Sequence, residues 1–77
     1  MPDDPPQSLG QLLRTARLRR RLTQRELATR CGVTRTAISH LERDRKLPSL
    51  RLMGELAHQL RLNTARLIQI LRRLPDR

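Results

Sequence analysis

The polar side chains between residues 34 and 46 form the clearest chemical pattern in this sequence. At about 100° per residue, a helix that begins after Thr34 places Ala37, Ile38 and Leu41 on one face. The opposite face then carries hydrogen-bonding side chains, namely Arg35, Thr36, Ser39, His40 and Arg43. Arginine can donate two N–H groups to a guanine edge or a phosphate, and hydroxyl groups bond to either. The pattern predicts a helix that packs its apolar face on the protein and presents its polar face to the major groove of DNA.

Each of these side chains also has a simpler interpretation. Arg35 could contact a phosphate, or only solvent, instead of a base. Thr36 and Ser39 could keep the helix face small enough to enter the groove without bonding to a base. His40 could donate to a base or a phosphate, or be a surface histidine with no partner. The pattern alone leaves these alternatives open.

Nothing in the sequence indicates an enzyme or a metal site. No combination of serine, histidine and acid suggests a nucleophile with its base. Cys31, His40 and His58 are isolated from one another, and neither CxxC nor HxxxH spacing occurs. We therefore expect no catalytic residue, no metal ligand and no cofactor. Cys31 is interpreted as a small core residue rather than a redox sensor.

The charge balance indicates an anionic partner. The 77 residues include 17 basic and 7 acidic ones, which gives a formal net charge of +10. Self-repulsion of this excess opposes compaction, so its use lies in binding nucleic acid or a membrane surface. All basic residues except Lys46 are arginines, which suit bidentate contacts to phosphate and guanine, although GC-rich coding would produce the same bias. The lack of Phe, Tyr and Trp argues against single-strand binding, because that requires aromatic stacking faces.

The sequence shows no sign of a membrane or secreted protein. No apolar run approaches the length of a membrane span. The N-terminal MPDDPPQ is acidic and proline-rich, unlike a signal peptide. A single cysteine excludes an internal disulfide and fits a reduced cytosol. We expect a cytoplasmic protein, associated with the nucleoid when bound, and no membrane partner.

Helix signals follow a disordered arm predicted at residues 1–7. Ser8 and Gln11 form a capping-box pattern that starts helix 1. Thr23 and Glu26 form a second one, at the start of helix 2. Gly32 ends that helix, because glycine adopts the left-handed conformation without steric cost. Apolar residues recur at helical spacing, as Leu9, Leu12, Leu13 and Ala16 in helix 1 and as Leu27, Ala28 and Cys31 in helix 2.

Three further helices are predicted. Thr34 caps helix 3, which runs to about Arg43 and is followed by a basic loop and a proline. Ser49 caps helix 4, whose predicted buried stripe consists of Leu50, Met53, Leu56, Ala57 and Leu60. Asn63 caps helix 5, which carries Leu67, Ile68, Ile70, Leu71 and Leu74. Helices 1, 4 and 5 are expected to supply the core that the short helices 2 and 3 lack.

Helices 2 and 3 form the pair on which a functional prediction rests. They are short and are joined by a turn of about three residues that contains Gly32. Such a pair packs at a steep angle and can push its second helix into the major groove.

Residues 22–60, with the sequence LTQRELATRCGVTRTAISHLERDRKLPSLRLMGELAHQL, strongly resemble the Cro/C1-type helix-turn-helix family of phage repressors and related bacterial regulators. With helices 1 and 5 added, the resemblance extends over nearly all of the chain after Gln7. It implies an all-α fold, a five-helix lambda-repressor-like bundle at residues 8–74, between the arm at 1–7 and a tail at 75–77.

The resemblance also implies roles for particular residues. Base contacts are expected from Arg35, Thr36, Ser39 and His40, and phosphate contacts from Gln24, Thr34, Arg43, Arg45 and Lys46. Gln24 matches a family glutamine that binds a phosphate and supports the recognition helix. Arg17 and Glu42 match a family pair that joins helix 1 to helix 3 through a partly buried salt bridge.

Two positions depart from the family pattern. Family members commonly have glycine where this chain has Asp44, just after helix 3, and Arg61, between helices 4 and 5. Aspartate tolerates the left-handed region better than most residues, so the end of helix 3 is expected to persist. The geometry of the loop at Arg61 stays open.

The expected function is sequence-specific binding of double-stranded DNA, as a transcriptional regulator and repressor. Ile70 and Leu74 look surplus to the core of one subunit, so we expect a homodimer that uses helix 5 on an inverted-repeat operator. Both side chains could instead cover the protein's own core. The alternatives are an antitoxin that also binds its own promoter, with a toxin or co-regulator as protein partner, and a nonspecific basic protein.

Overall fold

The computed structural model describes residues 8–63, 65 and 72, and these residues contain four α-helices and no β-strand. The helices are α1 (Leu9–Arg19), α2 (Gln24–Cys31), α3 (Arg35–Glu42) and α4 (Leu50–Leu60). None of the described helices is long and apolar enough to cross a membrane. The predicted arm at 1–7, the tail at 75–77 and helix 5 with Leu67, Ile68, Ile70, Leu71 and Leu74 lie outside the described residues. For the described residues the all-helical prediction is confirmed, and the predicted count of five helices is not.

Each described helix begins at the capping residue that the sequence predicts. The side-chain oxygens of Ser8, Thr23, Thr34 and Ser49 accept hydrogen bonds from the backbone N–H three residues later. At α2 the capping box is complete, because Glu26 Oε1 also accepts from the Thr23 N–H at 2.9 Å. These bonds satisfy backbone donors that have no partner inside the helix.

All four helices end in the same motif, with one residue in the left-handed region. These residues are Arg21 (φ 56°), Gly32 (φ 70°), Asp44 (φ 59°) and Arg61 (φ 52°). In each case the N–H of the following residue bonds back to a carbonyl five residues earlier, as in a Schellman motif; after α3 this bond joins Arg45 N to His40 O at 2.9 Å. The sequence predicted this ending for Gly32 and indicated that Asp44 would tolerate it.

The core takes one almost fully buried side chain from each helix, and these are Leu13, Leu27, Ile38 and Leu56. Helix α3 packs on α1 and α2, and α4 packs on the same two helices from another side. The short α2 and α3 therefore acquire their position from α1 and α4. Tertiary packing of this kind, rather than intrinsic propensity, stabilises eight-residue helices.

The predicted buried stripe of α4 is wrong at Leu50. Leu56 and Leu60 are buried, but the Leu50 side chain is 90% exposed. Six residues at 100° each place Leu50 about 120° away from Leu56 around the helix. Leu52 lies only about 40° away by the same geometry, and it packs against the core.

Candidate nucleic-acid interface

The turn between α2 and α3 fixes how α3 is presented. Gly32 ends α2 in the left-handed conformation, and the Val33 N–H bonds to Ala28 O at 2.9 Å. A Cβ at Gly32 would meet no atom within 4 Å, so the backbone angle, not space, favours glycine there. Ile38 and Leu41 then bury the inner face of α3 and leave its other face outward.

The outer face of α3 carries the residues for which base contacts are predicted. Arg35 and Thr36 are exposed in its first turn, whereas Ser39 and His40 are half-buried further along. Exposed cationic residues follow in the next loop, and these are Arg43, Arg45 and Lys46. The structure therefore brings the predicted base-contact residues onto one helix and places the predicted cations at its C-terminal end.

A buried ion pair joins α1 to the end of α3. Arg17 Nε lies 2.6 Å from Glu42 Oε2, and Arg17 Nη2 donates to Glu42 Oε1 at 3.1 Å. The Arg17 side chain is 9% exposed and the Glu42 side chain 4%. A third donor, Nη1, bonds to Leu22 O at 2.8 Å in the loop after α1. These bonds offset the cost of removing both charges from water.

Gln24 connects this ion pair to the exposed face. Its Nε2 donates to Glu42 Oε1 at 3.1 Å, and its Oε1 accepts from Arg35 Nη1 at 3.3 Å. Each side-chain amide has two N–H donors, so one donor of Gln24 stays available for a phosphate. The predicted phosphate residue is thus also the link that holds the guanidinium of Arg35 at the start of α3.

Thr34 holds the N-terminus of α3. Its Oγ1 accepts from the Ala37 N–H at 3.1 Å. A hydroxyl group can donate as well as accept, so the cap leaves the Thr34 hydroxyl hydrogen free to bond to a phosphate. The exposed position of Thr34 is compatible with that contact.

Comparison with known proteins agrees with this geometry. Residues 13–67 match the helix-turn-helix family, and this stretch is well over half of the chain. The chain belongs to the Cro/C1-type helix-turn-helix family. Helix α3 is the second helix of the helix-turn-helix, which is the position of the recognition helix in this motif.

Solved structures of regulators resemble this helix-turn-helix chain. One structure of the clp gene regulator ClgR from Corynebacterium glutamicum is 35% identical, with a TM-score of 0.74 over 88% of this chain and 77% of that one. A second ClgR structure from the same organism is 34% identical, with a TM-score of 0.71 over 90% of this chain and 91% of that one. A variant of the restriction–modification controller protein C.Esp1396I shares the fold at 22% identity, with a TM-score of 0.69 over 83% of this chain and 84% of that one. No curated protein matches the chain significantly.

Sequence reasoning missed a second attachment of the recognition helix. Asp44 Oδ1 accepts from the Gly10 N–H at 2.9 Å, and Asp44 Oδ2 accepts from the Ser8 hydroxyl at 2.7 Å. These partners are 34 and 36 residues apart, so no local pattern relates them. The available signal was Gly10 itself, because an isolated glycine within a helical pattern often marks a close packing contact.

Cys31 lies outside this interface, on the inner side of α2. It is a free, half-buried cysteine that packs against the core. Burial raises the pKa of its thiol, and the negative charge of Glu55 raises it further. A thiol with a raised pKa is a poor nucleophile near neutral pH, which favours a packing role.

Within the described part of the chain, no group of three or more His, Cys, Asp or Glu side chains is arranged to hold a metal ion. The predicted dimer residues Ile70 and Leu74 lie outside the described residues.

Proposed function

We propose that this protein is a sequence-specific transcriptional regulator that binds double-stranded DNA as a homodimer and represses genes next to an inverted-repeat operator. Base discrimination comes from Arg35, Thr36, Ser39 and His40 on the recognition helix. Phosphate contacts come from a second set, Gln24, Thr34, Arg43, Arg45 and Lys46. Helix-turn-helix proteins of this kind are typically non-enzymatic, and we propose no catalytic activity.

The continuous polar connection from the core to Arg35 is the observation that carries this proposal. Arg17 and Glu42 are buried against each other, Gln24 bonds to Glu42, and Arg35 bonds to Gln24. A guanidinium held in this way loses less freedom when it forms a bidentate contact with guanine. A nonspecific basic protein would need only the charge, not this arrangement.

The overall charge supports binding to DNA. The formal net charge is +10, and every phosphate contact releases counterions from the duplex. These contacts supply affinity that falls with salt and fix the register of the protein on the duplex. Direct reading of bases is then left to the recognition helix, because phosphate contacts carry no base identity directly.

The likeness to ClgR supports a regulatory role. That protein is described as a regulator of clp genes, and it is 35% identical over 88% of this chain. We propose the same general activity here, control of transcription, without proposing the same target genes.

A homodimer would place two recognition helices about one DNA turn, roughly 34 Å, apart on one face of the duplex. Ile70 and Leu74 are proposed to form its interface. Such symmetry requires an operator whose two halves are inverted repeats. A dimer bound over a promoter would block RNA polymerase, and cytoplasmic localisation follows from action on the nucleoid.

Selection from a random duplex library at near-physiological salt tests this function. Repeated binding to the purified protein, followed by sequencing, should enrich an inverted repeat. Enrichment of a single half-site would contradict the homodimer but keep the specific contacts. Binding without any enriched sequence would overturn specific regulation in favour of nonspecific binding through charge.

A further inference from the structure

Asp44 is an acidic residue within a basic loop. Arg43, Arg45 and Lys46 surround it in the sequence, and all four residues are exposed. A carboxylate at this place repels the phosphates that its neighbours are proposed to bind. Its presence therefore opposes affinity and calls for a separate physical reason.

The end of the recognition helix differs from the ends of the other described helices. After α1, α2 and α4 the residue that follows the left-handed one is apolar and packs on the core, and these residues are Leu22, Val33 and Leu62. Such an apolar contact commonly accompanies this helix ending. After α3 the corresponding residue is Arg45, which is charged and exposed. The C-terminal end of the recognition helix thus lacks this apolar contact, although Ile38 and Leu41 bury the inner face of the helix.

The Asp44 side chain supplies a polar attachment instead. It accepts from the Gly10 N–H at 2.9 Å and from the Ser8 hydroxyl at 2.7 Å, both at the N-terminus of α1. The backbones also approach closely there, since a Cβ on Gly10 would lie 2.6 Å from Glu42 O and 2.7 Å from Leu41 O. A carboxylate at a helix N-terminus is favourable as well, because it faces the positive end of the helix dipole.

The recognition helix is consequently attached to α1 at two points. Glu42 bonds to Arg17, and Asp44 bonds to Gly10. Seven residues separate the two partners on α1, or about 10 Å at 1.5 Å per residue. Two polar attachments at this spacing, added to the packing of Ile38 and Leu41 on the core, restrict the direction of the helix more than either attachment alone.

We propose that Asp44 is a positioning residue for sequence discrimination: its bonds to Gly10 and Ser8 hold the recognition helix at the angle that presents Arg35 and its neighbours to the bases. This proposal rests on the proposed function as a sequence-specific DNA-binding protein. It gives a physical reason for a carboxylate beside cations that are proposed to bind phosphates.

Two substitutions separate the bonds from the charge. Asp44→Gly removes both bonds and the charge but suits the left-handed backbone, so the domain should still fold. Asp44→Asn removes the same charge and keeps an oxygen that accepts from the Gly10 N–H; asparagine also tolerates this backbone. Glu55→Gln is the control for net charge, because Glu55 is exposed on α4 and bonds only to Gln59 among the contacts described for it.

The measurements are the affinities for the selected operator and for a scrambled duplex, at one salt concentration, and the hydrogen exchange of the Gly10 amide. For Asp44→Gly we expect the ratio of the two affinities to fall by about tenfold, comparable to the loss of one base contact. The Gly10 amide should exchange faster. For Asp44→Asn and Glu55→Gln we expect the ratio and the exchange of Gly10 to remain those of the wild type.

Several results would overturn the proposal. Discrimination by Asp44→Gly equal to that of the wild type would show that the contacts do not position the helix for base contacts. An equal loss of discrimination in Asp44→Asn would assign the effect to charge. Unchanged hydrogen exchange of the Gly10 amide in Asp44→Gly would show that the bond from Gly10 to Asp44 does not form. If the wild type binds the operator and the scrambled duplex equally well, both the proposed function and the role of Asp44 are overturned. If the wild type and Asp44→Gly both prefer the operator to the same degree, only the role of Asp44 is overturned.

Discussion

Gln24 shows how one residue can serve the interior and the interface together. Its N–H bonds to the buried Glu42, and its carbonyl oxygen accepts from the exposed Arg35. A change at Gln24 therefore affects both a buried charge and the direction of a side chain proposed to contact a base. The same residue can also give its second N–H to a phosphate.

Arg35→Ala should relax specificity at a single base pair. Loss of a bidentate contact should cost on the order of 1–3 kcal/mol with the cognate pair and little with other pairs. Lys46→Ala is the matched comparison, since it should weaken all sequences alike and lower the salt slope by about one unit. Binding assays over a set of single-base operator variants measure both. Equal weakening by Arg35→Ala on every operator would exclude the base contact.

Glu42→Leu should destabilise the fold more than the double change Arg17→Leu with Glu42→Leu. The single change leaves the Arg17 charge buried without its partner, at a cost of about 3–5 kcal/mol, whereas the double change leaves no buried charge. Urea unfolding of the three proteins gives the free energies of unfolding. A single variant as stable as the double variant would mean that Arg17 reaches solvent.

At the scale of the elements, the helix ends are uniform in geometry but not in sequence. Four left-handed residues end the four described helices, and only Gly32 among them is glycine. A residue with a Cβ pays about 1–2 kcal/mol in this conformation. Asp44 offsets that cost with two side-chain hydrogen bonds. Arg21 and Arg61 are exposed and have no such bond among the described contacts.

Arg21→Gly and Arg61→Gly should therefore each stabilise the domain by about 1 kcal/mol, because glycine adopts this conformation without steric strain. Thermal unfolding of the two variants measures the effect, and Gly32→Ala is the inverse control, expected to lower the stability. No rise in the unfolding temperature for either variant would indicate that the arginine side chains contribute compensating interactions.

At the scale of the whole molecule, a small domain carries a large excess of positive charge. The four helices of the described residues surround one core, and the full chain has 17 basic residues against 7 acidic ones. Bringing two copies together adds charge repulsion, which grows as salt is lowered. Apolar contacts, such as those proposed for Ile70 and Leu74, would have to outweigh this repulsion in a dimer.

The double change Ile70→Asp with Leu74→Asp should give a monomer, because carboxylates at the interface cannot be buried without partners. Analytical ultracentrifugation measures the mass, and circular dichroism checks that the helices persist. Leu50→Asp is the control, since Leu50 is 90% exposed on α4 and outside the proposed interface. A double variant that remains both folded and dimeric would place the interface elsewhere.

Local signals in the sequence determined the four described helices and the outer face of α3. Ser8, Thr23, Thr34 and Ser49 each start a helix where the capping rules predict it, since a cap depends only on residues within one turn. The helical period likewise separates Arg35 and Thr36 from Ile38 and Leu41 without any tertiary information. Leu50 was misassigned because it was placed in the buried stripe for its hydrophobicity, although the helical period puts it about 120° away from Leu56.

Only the tertiary structure decided which distant residues hold the recognition helix. The contacts of Asp44 with Gly10 and Ser8 depend on how α1 and α3 cross, a property that no short segment contains. The Arg17–Glu42 pair was expected from the resemblance, yet its bond to Gln24 and the onward bond to Arg35 required three elements to be placed together. Interactions within one helical turn can be predicted from the spacing of residues in the sequence. The angle between two helices, by contrast, results from packing and long-range hydrogen bonds.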